Sequence, residues 1–432
     1  MPFGLPQEIL YVALLFALLV VPKLLQRWRL PSAVTSVGLG AAAGLGFGVF
    51  GGDTTIQLLA SFGIVALFLF AGLEVDFDEL RQGRAILAQH VALRFLALTG
   101  VAWGATALFG LSWRPATLVA LALLTPSTGF ILDSLAAMGL RDRERFWVKS
   151  KAIATEIVAL AVLFVVLQST SLKRLAMASA ILVGLIALLP VAFRYFAQRV
   201  VPYAPKSEFA FLMMLALVAA LVTRQLGVYY LVGAFIVGVA AQRFREQLPA
   251  MASEQMLHAV EVFASVFVPF YFFSAGLHLT RDDFGPDAAL VGFVFLTTMV
   301  PIRLLAVAAH RRIVLGEAPA RSLRVGVALT PTLVFTLVIA GILRDVFEVP
   351  QAVFGGLVIY TLGNTLIPGF ALRAPPEFEL HAPDLDPALD PQVTYRVPTG
   401  THRVAAAEGA GASSVPPDSS VSRPTDAGAA TG

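Results

Sequence analysis

The chain has 432 residues, of which 57% are hydrophobic and 14% charged, with a mean hydropathy of +0.79 and a formal net charge of +3. Soluble domains run at about 45–50% apolar and about 25% charged, so this composition excludes a soluble enzyme with a large core and indicates a polytopic membrane protein. There is no cysteine, which removes disulfides, thiol chemistry and Cys-based metal sites, and the six histidines show no ligand spacing.

The opening stretch, MPFGLPQEIL, lacks a basic n-region, so the first apolar run reads as a retained helix and not a cleaved signal. Charged and Pro/Gly clusters mark off thirteen apolar runs long enough to cross a bilayer. They lie at 5–22, 33–50, 55–73, 85–109, 115–138, 147–168, 175–197, 207–223, 228–241, 258–277, 288–309, 322–343 and 350–371. Lys23, Arg27 and Arg29 follow the first run. Arg141, Arg143, Arg145, Lys149 and Lys151 follow the fifth, and Arg311, Arg312, Arg321 and Arg324 follow the eleventh. The positive-inside bias makes this side cytoplasmic, with the N-terminus outside and the C-terminus inside a plasma (inner) membrane. The transmembrane domain is expected over residues 1–373. Residues 374–432 are rich in Pro, Ala, Gly, Ser and Asp, and read as a disordered cytoplasmic tail without a nucleotide-binding signature.

Two short motifs recur. Phe70-Ala71-Gly72-Leu73 ends the third run and Ser274-Ala275-Gly276-Leu277 the tenth, while Leu124-Thr125-Pro126-Ser127 interrupts the fifth and Leu329-Thr330-Pro331-Thr332 the twelfth. The offsets are about 204 and about 205 positions, a near-constant period. Each pair is seven runs apart, so the second copy crosses the membrane the opposite way. The expected fold is therefore all-α and polytopic, with about thirteen transmembrane helices in inverted six-helix repeats and two discontinuous helices.

The run over 149–168 carries Glu156 near its middle. A carboxylate there costs about 2.5–3.5 kcal/mol on insertion scales, and nothing local neutralises it. Each Thr-Pro is read as an N-cap followed by the first residue of a new half-helix, which frees carbonyls at the break. Thr125, Pro126, Ser127, Thr128, Thr330, Pro331 and Thr332, with Thr336, would line the discontinuity and supply oxygens suited to an alkali cation. Glu156, with Thr155 beside it and Asp133 in the inner funnel, would bind the proton or the cation. Burial disfavours the bare anion, so one group holding either partner but not both couples two fluxes. Arg303, at a similar depth in the eleventh run, is the expected counter-charge, with Arg94 as a rival partner. Glu74, Asp76, Asp78 and Glu79 read as loop electrostatics, and Gly38, Gly40, Gly44, Gly46 and Gly48 as a face for close helix packing.

The segments LFLFAGLEVDFDELR, LTPSTGFILDSL, LGVYYLVGAFIVG, VPFYFFSAGLHLT and VALTPTLVFTLVIA resemble, in order and spacing, the monovalent cation:proton antiporter superfamily, and within it the Kef-type sodium/proton and potassium/proton exchangers. The resemblance covers about residues 5–370. It implies homodimers, a core in which the two broken helices cross at the ion site, and an elevator-like motion of that core. It maps the essential carboxylate to Glu156 and the basic residue to Arg303. Thr155-Glu156 departs from the family's usual Asp preceded by Asn, Asp or Gln. A single carboxylate favours electroneutral exchange of Na⁺ or K⁺ for H⁺. No cofactor, no resident metal and no nucleic-acid partner is expected. Two alternatives keep the fold: a cation-coupled transporter of an organic solute, and a pH-gated channel or sensor. No catalytic triad or metal-ligand spacing points to an enzyme.

Overall fold

The structure, a computed structural model, describes residues 6–135, 138–204, 207–227, 230–245 and 254–372. The expected tail over 374–432 and the boundary at 373 lie outside the described residues. Every long element is helical. In chain order these are α1 (Gln7–Gln26), α2 (Ser32–Ala41, continued by a π-helical turn over Ala42–Phe47), α3 (Thr54–Leu73), the short α4 (Phe77–Gln82) and α5 (Arg84–Phe109). Then come α6 (Trp113–Leu124), α7 (Thr128–Ser134), α8 (Asp142–Gln168), α9 (Leu172–Arg199), α10 (Glu208–Gln225) and α11 (Tyr230–Arg245). The last are α12 (Glu254–Leu277), α13 (Pro286–Leu315), α14 (Pro319–Ala328), α15 (Leu333–Phe347) and α16 (Gln351–Ala371). Among the described residues ten spans are long and apolar enough to cross a membrane, or eleven with the bent pair α14–α15. Two shorter apolar helices fill the second and ninth expected runs.

The helices are longer than the apolar runs because charged residues at their ends extend them. α8 starts at Asp142, so Arg143, Arg145, Lys149 and Lys151 belong to the helix and not to a loop. The acidic cluster before α5 has local work. Asp76 caps α4 by accepting from the Asp78 and Glu79 amides at 2.8 and 3.0 Å, and Lys149 pairs with Glu74 at 3.0 Å.

Contacts sort the helices into two bundles. One comprises α1, α2, α3, α10, α11 and α12; the other comprises α5 to α8 and α13 to α16, and α9 touches both. Glycines set the spacing in the first bundle. A Cβ on Gly72 would lie 2.3 Å from the Phe235 carbonyl oxygen and 3.0 Å from the Gly238 Cα. One on Gly276 would lie 2.1 Å from the Val37 oxygen and 3.0 Å from the Gly40 Cα. The recurring Ala-Gly-Leu motif is therefore a device for backbone-to-backbone helix crossing, α3 on α11 and α12 on α2. Of the five glycines on and after α2, Gly40 and Gly44 are used in this way, whereas Gly38, Gly46 and Gly48 meet nothing within 4 Å.

Asp53 joins α3 to α1. It accepts from the Thr55 and Ile56 amides at 2.8 and 3.1 Å and from the Tyr11 hydroxyl at 2.5 Å. Burial pushes its carboxyl up, but the Tyr11 hydroxyl and the two amides outweigh that and hold it below the usual carboxylate value. Its contribution to stability is then present above the unfolded value and lost as pH falls below it. Asp53→Ala should lower the melting temperature in detergent at neutral pH, by about 1 kcal/mol for the lost cap, and the deficit should vanish in acid. Gly72→Ala and Gly276→Ala should cost far more than Gly38→Ala, which meets no neighbour. Equal melting temperatures for the three would contradict the close crossings.

Candidate functional site

Proline breaks both discontinuous helices, but not in the way the sequence leads one to expect. The residue before a proline is driven out of the helical region. Thr125 accordingly ends α6 in an extended conformation, and Pro126 and Ser127 follow before α7 resumes at Thr128. The residues at the N-cap positions of the second half-helices are Ser127 and Thr332, not Thr125 and Thr330, and neither proline is a first helical residue. The Thr330 hydroxyl donates back to the Val327 carbonyl at 2.7 Å. α14 and α15 meet at 48°.

The two breaks satisfy one another. The Ser127 amide donates to the Pro331 carbonyl at 2.8 Å, the Val334 amide to Ser127 Oγ at 2.9 Å, and the Thr336 hydroxyl to the Ala122 carbonyl at 2.7 Å. These pairings run antiparallel. Ser127 thus caps the half-helix of the other break. α16 completes the frame: Asn364 Oδ1 accepts from the Thr332 amide at 3.2 Å, Asn364 Nδ2 donates to Thr332 Oγ1 at 2.9 Å, and Thr361 Oγ1 lies 2.9 Å from Thr332 Oγ1. Tyr360 donates its hydroxyl hydrogen to the Leu123 carbonyl at 2.7 Å.

Arg303 is buried and spends both Nη groups on the same frame, while its Nε has no partner among the described residues. Nη1 donates to the Thr330 carbonyl at 2.8 Å and to the Tyr360 hydroxyl at 2.9 Å, and Nη2 to the Leu329 carbonyl at 2.7 Å. Among the described residues no ion pair joins it to Glu156. Arg94 donates to the Leu124 carbonyl at 3.3 Å and not to Glu74 or Asp76. The two arginines therefore sit at the carbonyl ends of α6 and α14, where the helix dipole is negative.

Glu156 lies on the opposite side of the crossing. It is 3% exposed and lines a narrow cleft with Leu67, Phe68, Ser127, Thr128, Val334 and Phe335, so the amide ends of α7 and α15 both face it. Thr128 presents its backbone amide and hydroxyl to the carboxylate. Neither Glu156 Oε2 nor Thr128 Oγ1 has a hydrogen-bond partner among the described residues. Both oxygens line the same cleft, where the Thr128 hydroxyl can donate its hydrogen to the carboxylate or turn a lone pair to a cation.

Asp133, on α7, does not reach Glu156. It is exposed to a wider cavity of about 290 Å³, lined also by Lys23, Gln26, Ser36 and Glu261, which adjoins the cleft through Leu67 and Gly129. Thr155 is turned away from the cleft: its hydroxyl donates to the Lys151 carbonyl at 2.8 Å and lies 3.2 Å from His90 Nε2. The structure thus brings Glu156, Ser127 and Thr128 together, places Asp133 at the entrance, and leaves Thr155 and Arg303 elsewhere. Tyr360, Thr361 and Asn364 escape a hydropathy reading, although polar residues on one stretch of an apolar helix are a usable signal.

A buried carboxylate at the crossing of two broken helices, in a bundle of membrane-spanning length, defines a secondary-transporter membrane domain. The chain belongs to the family described as sodium/hydrogen exchanger, transmembrane, whose family model matches residues 12–375. It is 26% identical over 304 residues to the Na(+)/H(+) antiporter NhaS5 of Synechocystis, covering 68% of this chain and 41% of that protein. It is 23% identical over 363 residues to a probable Na(+)/H(+) antiporter 3 of Methanocaldococcus jannaschii, covering 81% and 91%. It is 26% identical over 256 residues to the glutathione-regulated potassium-efflux system protein KefC of Enterobacter, covering 56% and 39%. The chain thus spans less than half the length of two of these relatives. The fold is that of the sodium proton antiporter MjNhaP1 from M. jannaschii, with a TM-score of 0.61 at 14% identity over 85% of this chain and 96% of that one.

Tyr360→Phe keeps the ring and removes the hydroxyl that links Leu123 to Arg303. It should cost about 1–3 kcal/mol, read as a lower melting temperature. Arg303→Met should cost more, because the Leu329 and Thr330 carbonyls lose their donors together. A melting temperature unchanged in both variants would contradict the frame.

Proposed function

We propose that the chain exchanges a monovalent alkali cation, Na⁺ or K⁺, for a proton across a membrane, with Glu156 binding one or the other in turn. The single observation that carries this reading is the buried Glu156 carboxylate, whose Oε2 has no hydrogen-bond partner among the described residues and which lines one cleft with Thr128 at the broken-helix crossing. A proton neutralises Glu156. A dehydrated alkali ion accepts oxygens from Glu156, Thr128 and Ser127, and excludes the proton by occupying the same place. Asp133 and Glu261, in the adjoining cavity, raise the local cation concentration.

Arg303 and Arg94 are committed to backbone carbonyls, so neither needs to release Glu156 when a cation arrives. With one carboxylate and no exchanged counter-ion, the stoichiometry is one for one and electroneutral. The names of the relatives support the substrate class. The concentration of Lys and Arg at the Lys23, Arg141 and Arg312 end supports a plasma-membrane orientation with the N-terminus outside and the C-terminus inside. The family resemblance supports a homodimer, and the two motifs at a near-constant offset support an inverted relation of the two halves. Native mass spectrometry from detergent reads the oligomeric state directly.

The decisive experiment is exchange in proteoliposomes under an imposed pH gradient, with Na⁺, K⁺, Li⁺ and choline added in turn. One or two alkali cations should dissipate the gradient, and choline should not. Glu156→Gln should fold with a melting temperature at or above wild type and abolish exchange, whereas Glu156→Asp should retain part of it with altered apparent cation affinity. Exchange that survives in Glu156→Gln, or a saturating current without proton coupling, would overturn the assignment.

A further inference from the structure

Polar groups that this exchange does not use are buried between α8 and α13. Lys151 is 0% exposed, and its Nζ lies 3.1 Å from Nδ1 of His310, itself 6% exposed. The other ring nitrogen of His310, Nε2, is buried with no hydrogen-bond partner among the described residues. A contact between two basic nitrogens needs a hydrogen on one and a lone pair on the other. If both bases are protonated, both nitrogens are donors and two like charges face each other where solvent cannot screen them.

Among the described residues, the surroundings offer the pair no counter-charge of its own. From α5 come His90, with its ring 6.1 Å from that of His310, and Arg94. From α13 comes Arg311, and just beyond it Glu317, the one facing acid, which is held by Arg311 and approached by Arg143 at 3.8 Å. On α8 itself, Lys149 is paired with Glu74 and Glu79, and Glu144 with Arg324 of α14. From α7, Asp133 opens into the separate cavity.

We propose that Lys151 and His310 form a second proton-binding site, which holds at most one proton beyond the neutral pair while Nζ and Nδ1 are in contact and takes up another only by parting them. Its consequence for transport rests on the exchange reading above; the proton site itself does not. Lys151 is five residues before Glu156 on α8, and His310 is seven residues beyond Arg303 on α13. The pair thus ties the helix that carries the ion-binding carboxyl to the helix that fixes the broken pair. Acidification then acts at two places. A proton competing at Glu156 is displaced by more cation, whereas the proton on the dyad is not.

Two measurements test this. In protein selectively labelled with ¹⁵N-histidine, the His310 resonances, assigned by their loss in His310→Gln, should show Nε2 protonated and Nδ1 as a hydrogen-bond acceptor at alkaline pH. Their titration should move in Lys151→Met. A proton on Nδ1 at alkaline pH, or a titration indifferent to Lys151→Met, overturns the site. In proteoliposomes at saturating cation, wild-type exchange should still fall on acidification. His310→Gln should keep the alkaline rate and lose that residual fall; an unchanged profile overturns the coupling to transport. If wild type exchanges no cation at all, the exchange reading fails while the histidine spectra still decide the proton site.

Discussion

Everything at the centre of this molecule depends on two broken helices satisfying each other's backbone. In a bilayer an unpaired amide or carbonyl costs several kcal/mol, so an isolated break at membrane depth is not viable. Here the donors freed by one break meet the acceptors of the other: Ser127 gives its amide to Pro331 and receives the Val334 amide on its hydroxyl. Neither break can form correctly without its partner. The crossing therefore has one geometry, and its polarity is sorted in space. The carbonyl ends of α6 and α14 collect Arg94 and Arg303, and the amide ends of α7 and α15 face Glu156. One side of the crossing repels cations, and the other presents a carboxylate to them.

The two bundles are held by different kinds of contact. Inside the first, Gly72 on Gly238 and Gly276 on Gly40 bring backbones together with no side chain between them. Such crossings are stiff, because sliding either helix drives a Cβ into a carbonyl. Between the bundles, where α3 meets α7, the Leu67 side chain lies over Gly129. A leucine on a glycine can change rotamer, and that same pair separates the Glu156 cleft from the cavity that holds Asp133 and Glu261. Rigid bodies joined by an adaptable side-chain contact are what motion of one bundle past the other requires.

Much of this was legible in the sequence. Hydropathy located the spans because a helix in lipid must be apolar for most of its length. The Thr-Pro pairs located the breaks because proline forbids the helix there, and Glu156 stood out as a charge in an apolar run. What was not legible was who partners whom. Arg303 and Glu156 share a depth along their helices, but depth says nothing about azimuth, and Arg303 faces carbonyls that exist as acceptors only once α14 is broken. The N-cap position of α7 fell to Ser127 and not Thr125 because the pre-proline residue takes an extended conformation and delays the next helix. Lys151 was masked by its neighbours: in a run of Arg and Lys it reads as loop charge, and only the start of α8 at Asp142 carries it inside.

On the exchange reading proposed above, the same arrangement would give strict coupling. Arg94 and Arg303 are committed to carbonyls, which leaves Glu156 as the group that loads and unloads in that exchange. With a proton or an alkali ion bound, it is neutral, and the buried site is electrostatically equivalent in the two loaded forms. Empty, it leaves an ionised carboxylate with an unpartnered oxygen, 3% exposed, in a cleft too narrow to hydrate it well. The effective penalty for a buried, unpaired ion of this kind is several kcal/mol. Each 1.4 kcal/mol is a factor of ten in population, so on that reading the empty form would cross less readily than either loaded form. A carrier that moves readily when loaded and hardly at all when empty exchanges one ion for the other and leaks neither.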